Sequence, residues 1–169
     1  DGPQQEWQLS AYDENFPGWG CTPDTQFRTL ATYPHLLGEY VWTGFDYLGE
    51  PTPFNSDDTN LLNFRNDPSK RAELESELQK LRDTQPPSRS SYFGIVDLAG
   101  FPKDRYYLYQ SQWRSELPMA HVMPHWTWPG REGKGVRVQV YTSGDEAEVF
   151  VNGKSCGRKA KRPGDDFRL

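Results

Sequence analysis

Cysteine is scarce in this 169-residue chain. Cys21 and Cys156 are the only two, 135 positions apart, and match neither a metal-binding spacing nor a disulfide framework. Long apolar runs are missing: no stretch of ~18 such residues exists, which excludes a membrane-spanning helix. A basic-then-apolar leader is also missing, so no export signal is expected, although a mature or excised chain would read the same. Basic blocks are absent and the net charge is −5, which argues against a nucleic-acid partner. What the chain does have is aromatic residues: six Trp, nine Tyr and nine Phe supply enough apolar area for a core and exclude disorder. Its charge is uneven. Residues 1–60 hold one base, Arg28, against ten acids, whereas residues 61–169 hold 18 bases against 14 acids. That asymmetry suggests two regions with different tasks.

Residues 1–35 are broken by Pro3, Pro17, Gly18, Gly20, Pro23 and Pro34, so a long aromatic loop is expected there, carrying Trp7, Tyr12, Phe16, Trp19 and Phe27. Residues 38–47 read as a short buried strand, since Tyr40, Val41, Trp42 and Phe45 favour β structure. A proline-stiffened loop from Leu48 to Pro53 follows. Residues 67–83 predict a helix, with Asp67 as cap, Pro68 in the first turn and Leu74, Leu78 and Leu81 as one apolar stripe. It would belong to an insertion spanning about 55–90. A second buried strand is expected around Phe93-Gly94-Ile95-Val96, then a loop, then a helix over 103–114 with Tyr106, Tyr109, Gln110 and Trp113 on one face. Strand, loop and helix make one βα unit.

After Pro118 the pattern changes. Val136, Val138 and Val140 alternate with Arg137, Gln139 and Tyr141, which predicts a strand buried on one face. Ser143-Gly144-Asp145 turns the chain, Ala147, Val149 and Val151 alternate again, and Asn152-Gly153 signals a tight hairpin returning along 154–159. Two hairpins cannot close a sandwich. The expected boundary lies near 118–129, between an incomplete α/β domain and an incomplete all-β one. His121 and His125 have metal-like spacing, but Pro124 breaks any helix between them and no third ligand is evident, so structural roles are expected. Trp126 and Trp128 are expected to pack one domain on the other. The competing reading is a non-catalytic carbohydrate-binding or interaction module built on the hairpins, with those two rings exposed. The βα unit at 92–114 speaks against it, because a binding module has no use for one.

Three segments, taken in order, resemble glycoside hydrolase family 2, the family of β-galactosidases, β-glucuronidases and β-mannosidases. Gly38-Glu39-Tyr40-Val41-Trp42-Thr43-Gly44-Phe45-Asp46-Tyr47 is similar to the eighth strand of its (β/α)8 barrel. Phe93-Gly94-Ile95-Val96-Asp97 through Pro102-Lys103 is similar to the Gly-Ile segment and final helix. His125-Trp126-Thr127-Trp128 through Val151-Asn152-Gly153-Lys154 is similar to the opening of the immunoglobulin-like domain behind the barrel in Bacteroides-type β-galactosidases. The implied fold is an α/β chain: the C-terminal part of a TIM barrel over 1–118, then the start of an all-β immunoglobulin-like sandwich over 119–169.

The implied activity is retaining exo-glycoside hydrolysis of terminal β-linked sugars, using two carboxyl groups ~5–5.5 Å apart. In this family both are glutamates at the ends of the fourth and seventh strands. No matching motif occurs here, and Glu6, Glu14, Glu39 and Glu50 stand in other contexts. Both are therefore expected upstream of Asp1, no catalytic residue is assigned within the chain, and the chain alone should be inactive. The resemblance makes Trp42 a stacking platform for the apolar C–H face of a sugar. Asp46 could accept hydrogen bonds from sugar hydroxyls, Trp19 with Tyr12 could wall the leaving-group side, and Glu50 is a weaker candidate. Where β-glucuronidases carry Asn-x-Lys for the uronic carboxylate, this chain has Ser91-Tyr92-Phe93, so a neutral sugar is expected. The acidic residues 1–60 agree, since they would repel acidic substrates. No cofactor and no metal are expected, because a cation site supported in one well-known member by an Asn has Phe93 in that place. The expected partners are a carbohydrate substrate and the remainder of the parent enzyme, with no nucleic acid and no membrane. Gut-bacterial members favour a periplasmic or extracellular location.

Overall fold

The computed structural model describes residues 12–13, 20–49, 90–125, 127–162, 164 and 166–169. Trp19, Glu50, Trp126 and the helix expected over 67–83 lie outside them. Two compact units are present: one comprises 1–8 and 41–101, the other 9–40 and 102–169.

In the second unit, helix α1 spans Pro23–Thr32. This corrects the expectation of an unbroken loop over 1–35. Pro23 sits in the first turn, where its missing N–H has no partner to lose, so it starts the helix instead of breaking it. The helix stops just before Tyr33, whose following Pro34 disfavours helical backbone. Helix α2 spans Asp104–Trp113, close to the expected 103–114. Its buried residues are Leu108, Tyr109 and Ser111, so of the expected face only Tyr109 is deeply covered, and Trp113 is about half exposed. Phe27 of α1 explains the choice: its ring meets Tyr109 edge-on at 5.5 Å and Phe167 at 5.3 Å.

Strand β1, Ala120–Met123, was not expected and pairs antiparallel with β2, Gln139–Thr142. The alternating run from Val136 enters the ladder only at Gln139. All four β2 residues are buried, against the expected one-sided burial. Both edges of β2 are occupied and one of its faces packs on α2. Val140 exchanges backbone hydrogen bonds with Leu169 at 2.7 and 3.0 Å on the edge away from β1. His121, Met123, Gln139 and Tyr141 share one face, on which His121 stacks at 4.0 Å over Tyr107 of α2. Ala120, Val122, Val140 and Thr142 line the other, opening on a groove bounded by β3. Strands β3, Glu146–Val151, and β4, Lys154–Ala160, form the expected hairpin. Its turn residues Asn152 and Gly153 have φ of 50° and 78°, the left-handed pair that a two-residue hairpin requires.

Burial holds Tyr109 and Tyr141 protonated, pushing both pKa values from 10.0 up to about 12. A raised acid pKa stabilises the fold fully below pH 10 and loses that contribution as pH rises through 12. Ultraviolet difference titration is therefore expected to show two tyrosines ionising late, together with loss of structure. Ionisation of every tyrosine near pH 10 without unfolding would contradict this packing.

Candidate functional site

The candidate residues Trp42 and Asp46 lie in the first unit. Residues 43–46 and 94–96 run parallel, bridged at Phe45 and Val96. Ile95 N–H donates to Thr43 O at 3.0 Å, Val96 N–H to Gly44 O at 3.0 Å, and Asp46 N–H to Val96 O at 2.9 Å. A second bridge, antiparallel, joins Leu48 to Ser90. This is less than the buried strand expected over 38–47. Only single bridges form, Tyr40 and Phe45 lie open, and the Trp42–Thr43 peptide is cis. The large side chains of a buried strand need neighbours on both faces, and the described residues of this unit supply a partner along one edge only.

Gly94 is where the two segments touch. A Cβ there would lie 2.2 Å from Asp46 N and 2.3 Å from the Phe45 carbonyl carbon, so any side chain forces the backbones apart. Its N–H donates at 2.7 Å to Oδ1 of Asp46, which is buried. Asp46 thus has a backbone partner across the pair, which a reading of composition had no way to supply. Gly94→Ala is expected to cost about 1–3 kcal/mol through this overpacking and to weaken the Asp46 bond. Unchanged urea unfolding for that variant would show the approach to be looser than described.

Trp42 stands at the start of this junction, 73% exposed. Its ring meets Tyr47 edge-on at 6.2 Å, and Tyr47 in turn meets Phe93 at 5.9 Å. Ser91, fully buried, holds Tyr47 from both sides: its N–H donates to Tyr47 O at 2.9 Å, and its hydroxyl accepts from Tyr47 N–H at 3.0 Å. The sequence reading missed Tyr47, Ser91 and Gly94. The one signal that could have pointed to Gly94 is a glycine between large apolar residues in a run with β character, which marks close backbone approach.

The histidines have partners within the second unit. His121 Nε2 lies 2.7 Å from Asp104 Oδ1, between the rings of Tyr107 and Tyr141. His125 stacks on Trp128 at 4.9 Å, and its carbonyl accepts the Trp128 indole N–H at 2.8 Å. Arg131 also lies over the Trp128 ring at 5.3 Å, so that indole is already engaged by two side chains. Among the described residues no cluster of three or more His, Cys, Asp or Glu could hold a metal ion. Glu39 has an enclosed Oε1 without a hydrogen-bond partner among the described residues, and burial raises its pKa.

The described residues thus place an exposed indole beside a parallel pair in one unit, and a helix with antiparallel strand pairs in the other. Comparison with known proteins supplies the family. The chain is 41% identical over 156 residues to β-galactosidase BoGH2A of Bacteroides ovatus, covering 90% of this chain and 14% of that protein. A putative β-glucuronidase of Formosa agariphila is 37% identical over 139 residues, 78% of this chain and 10% of that protein. The crystal structure of a β-glycosidase from Bacteroides vulgatus superposes with a TM-score of 0.61 at 33% identity, covering 88% of this chain and 14% of that one. Residues 133–169 match a domain of unknown function, DUF4982. The chain belongs to glycoside hydrolase family 2. It spans 14% or less of the length of these relatives.

Proposed function

We propose that this chain is part of a retaining exo-glycosidase that removes terminal β-linked neutral sugars, and that its first unit contributes to the sugar-binding site. Trp42 is the stacking platform, and Asp46, oriented by the Gly94 N–H, accepts hydrogen bonds from sugar hydroxyls. Trp19 and Glu50 are the remaining candidates, and both lie outside the described residues. In this reading residues 1–118 belong to a (β/α)8 barrel and 119–169 begin an immunoglobulin-like sandwich. The two catalytic glutamates are expected from outside this chain. The single observation that carries the proposal is the open Trp42 indole, 73% exposed beside the 43–46/94–96 pair, because an uncovered indole offers an apolar face on which the C–H face of a sugar can lie.

Substrate charge follows from the next layer. Phe93 lies against Tyr47 in the place where the uronic-acid enzymes of the family carry a lysine. A phenyl ring offers no charge to a carboxylate, so a neutral pyranose is favoured. Initial rates of the full-length protein on p-nitrophenyl β-galactoside, β-mannoside and β-glucuronide test this. Turnover of a neutral glycoside well above the glucuronide is expected, and the reverse order would contradict the proposal.

A further inference from the structure

We propose that Tyr47 is a positioning residue: it fixes the angle of the Trp42 indole and is itself fixed by Ser91. The inference rests on the reading of Trp42 as the platform, but its first readout does not. An indole that is 73% exposed has few neighbours to hold it. Among the described residues its ring partner is Tyr47, at 83° and 6.2 Å, within the edge-on geometry that aromatic pairs favour. Tyr47 is well placed to impose that angle. Its backbone is bonded on both polar groups to one buried serine, and its ring is bracketed by Phe93 on the far side at 71°. Ser91 sits in the same 90–96 segment that the Gly94–Asp46 bond ties down. Orientation thus passes from Ser91 to Tyr47 to Trp42.

A platform held at one angle pre-orders the face that a pyranose meets, which reduces what the ligand must order on binding. Losing the ring of Tyr47 should therefore weaken substrate binding more than turnover. The size expected from one edge-on aromatic pair is about 2- to 12-fold.

The test uses the full-length protein labelled with 5-fluorotryptophan, with the Trp42 signal assigned by its loss in Trp42→Phe. Tyr47→Leu should shift and broaden that fluorine resonance, whereas Tyr47→Phe, which keeps the ring, should leave it in place. In kinetics, Tyr47→Leu should raise KM for a neutral aryl glycoside by the factor above with kcat little changed, and should add nothing in a Trp42→Ala background. If Tyr47→Leu fails to fold, Ser91→Ala provides the same readout, with a smaller shift expected. An unmoved resonance, or a KM effect that persists without Trp42, would overturn the inference. Should Trp42→Ala leave KM unaltered while the resonance still moves, the platform reading fails and the positioning role of Tyr47 stands.

Discussion

Trp42→Ala in the full-length protein is expected to lower kcat/KM on a neutral aryl β-glycoside by about 10- to 150-fold, matching the loss of about 1.5–3 kcal/mol from one large buried ring. The effect should come without loss of the fold. Trp42 is 73% exposed, so its removal leaves no cavity in this unit, and the adjoining backbone bonds involve Thr43, Gly44 and Asp46. Trp42→Phe, which keeps a smaller π face, should retain most of the activity. A loss shared by kcat and kcat/KM would place the contact mainly in the transition state, and a rise in KM alone would mean uniform binding. Near wild-type kcat/KM for Trp42→Ala would remove the platform.

Arg168→Met should be the most destabilising substitution, by about 3–5 kcal/mol, the usual cost of leaving buried charge without its partner. Arg168 is nearly enclosed and grips two acids. Its Nη2 donates to Asp13 at 2.5 Å, its Nε reaches both oxygens of Asp24 at 3.0 and 2.8 Å, and Nη2 also bonds Asp24. Burial alone would lower its pKa, but the hydrogen bonds and charges of Asp24 and Asp13 outweigh it and leave the guanidinium firmly protonated. Asp13, with left-handed φ of 55°, is held by Arg105 as well. Arg168 therefore ties α1 to the residue-13 turn, Arg105 of α2 grips the same Asp13, and the neighbouring Leu169 pairs with β2. Arg168→Lys should recover little, because an ammonium cannot span both carboxylates as a planar fork does. Urea unfolding is the check, and a loss below about 1 kcal/mol, typical of exposed pairs, would contradict the network.

The parts of this architecture that were legible in the sequence are those set by local chemistry. Asn152-Gly153 dictated a hairpin turn because few other pairs tolerate two positive φ values. The run 103–114 declared a helix by its length and composition. Helix α1 was hidden because Pro23 was weighed as a breaker, whereas in the first turn it is an initiator. Full burial of β2 was hidden too, since its second edge is filled by Leu169, about thirty residues away, and no local pattern encodes that. In the first unit, the sequence singled out Trp42 and Asp46 by residue type and by their place in a run with β character. The Gly94 contact and the Ser91 clamp were not, as both depend on which two segments pair and in what register.

The most direct test is a crystal structure of the full-length protein with a neutral β-pyranoside bound in its site. The C–H face of the terminal sugar should lie against the Trp42 ring at van der Waals distance, about 4 Å. A sugar seated in a cleft that Trp42 does not line would contradict the account.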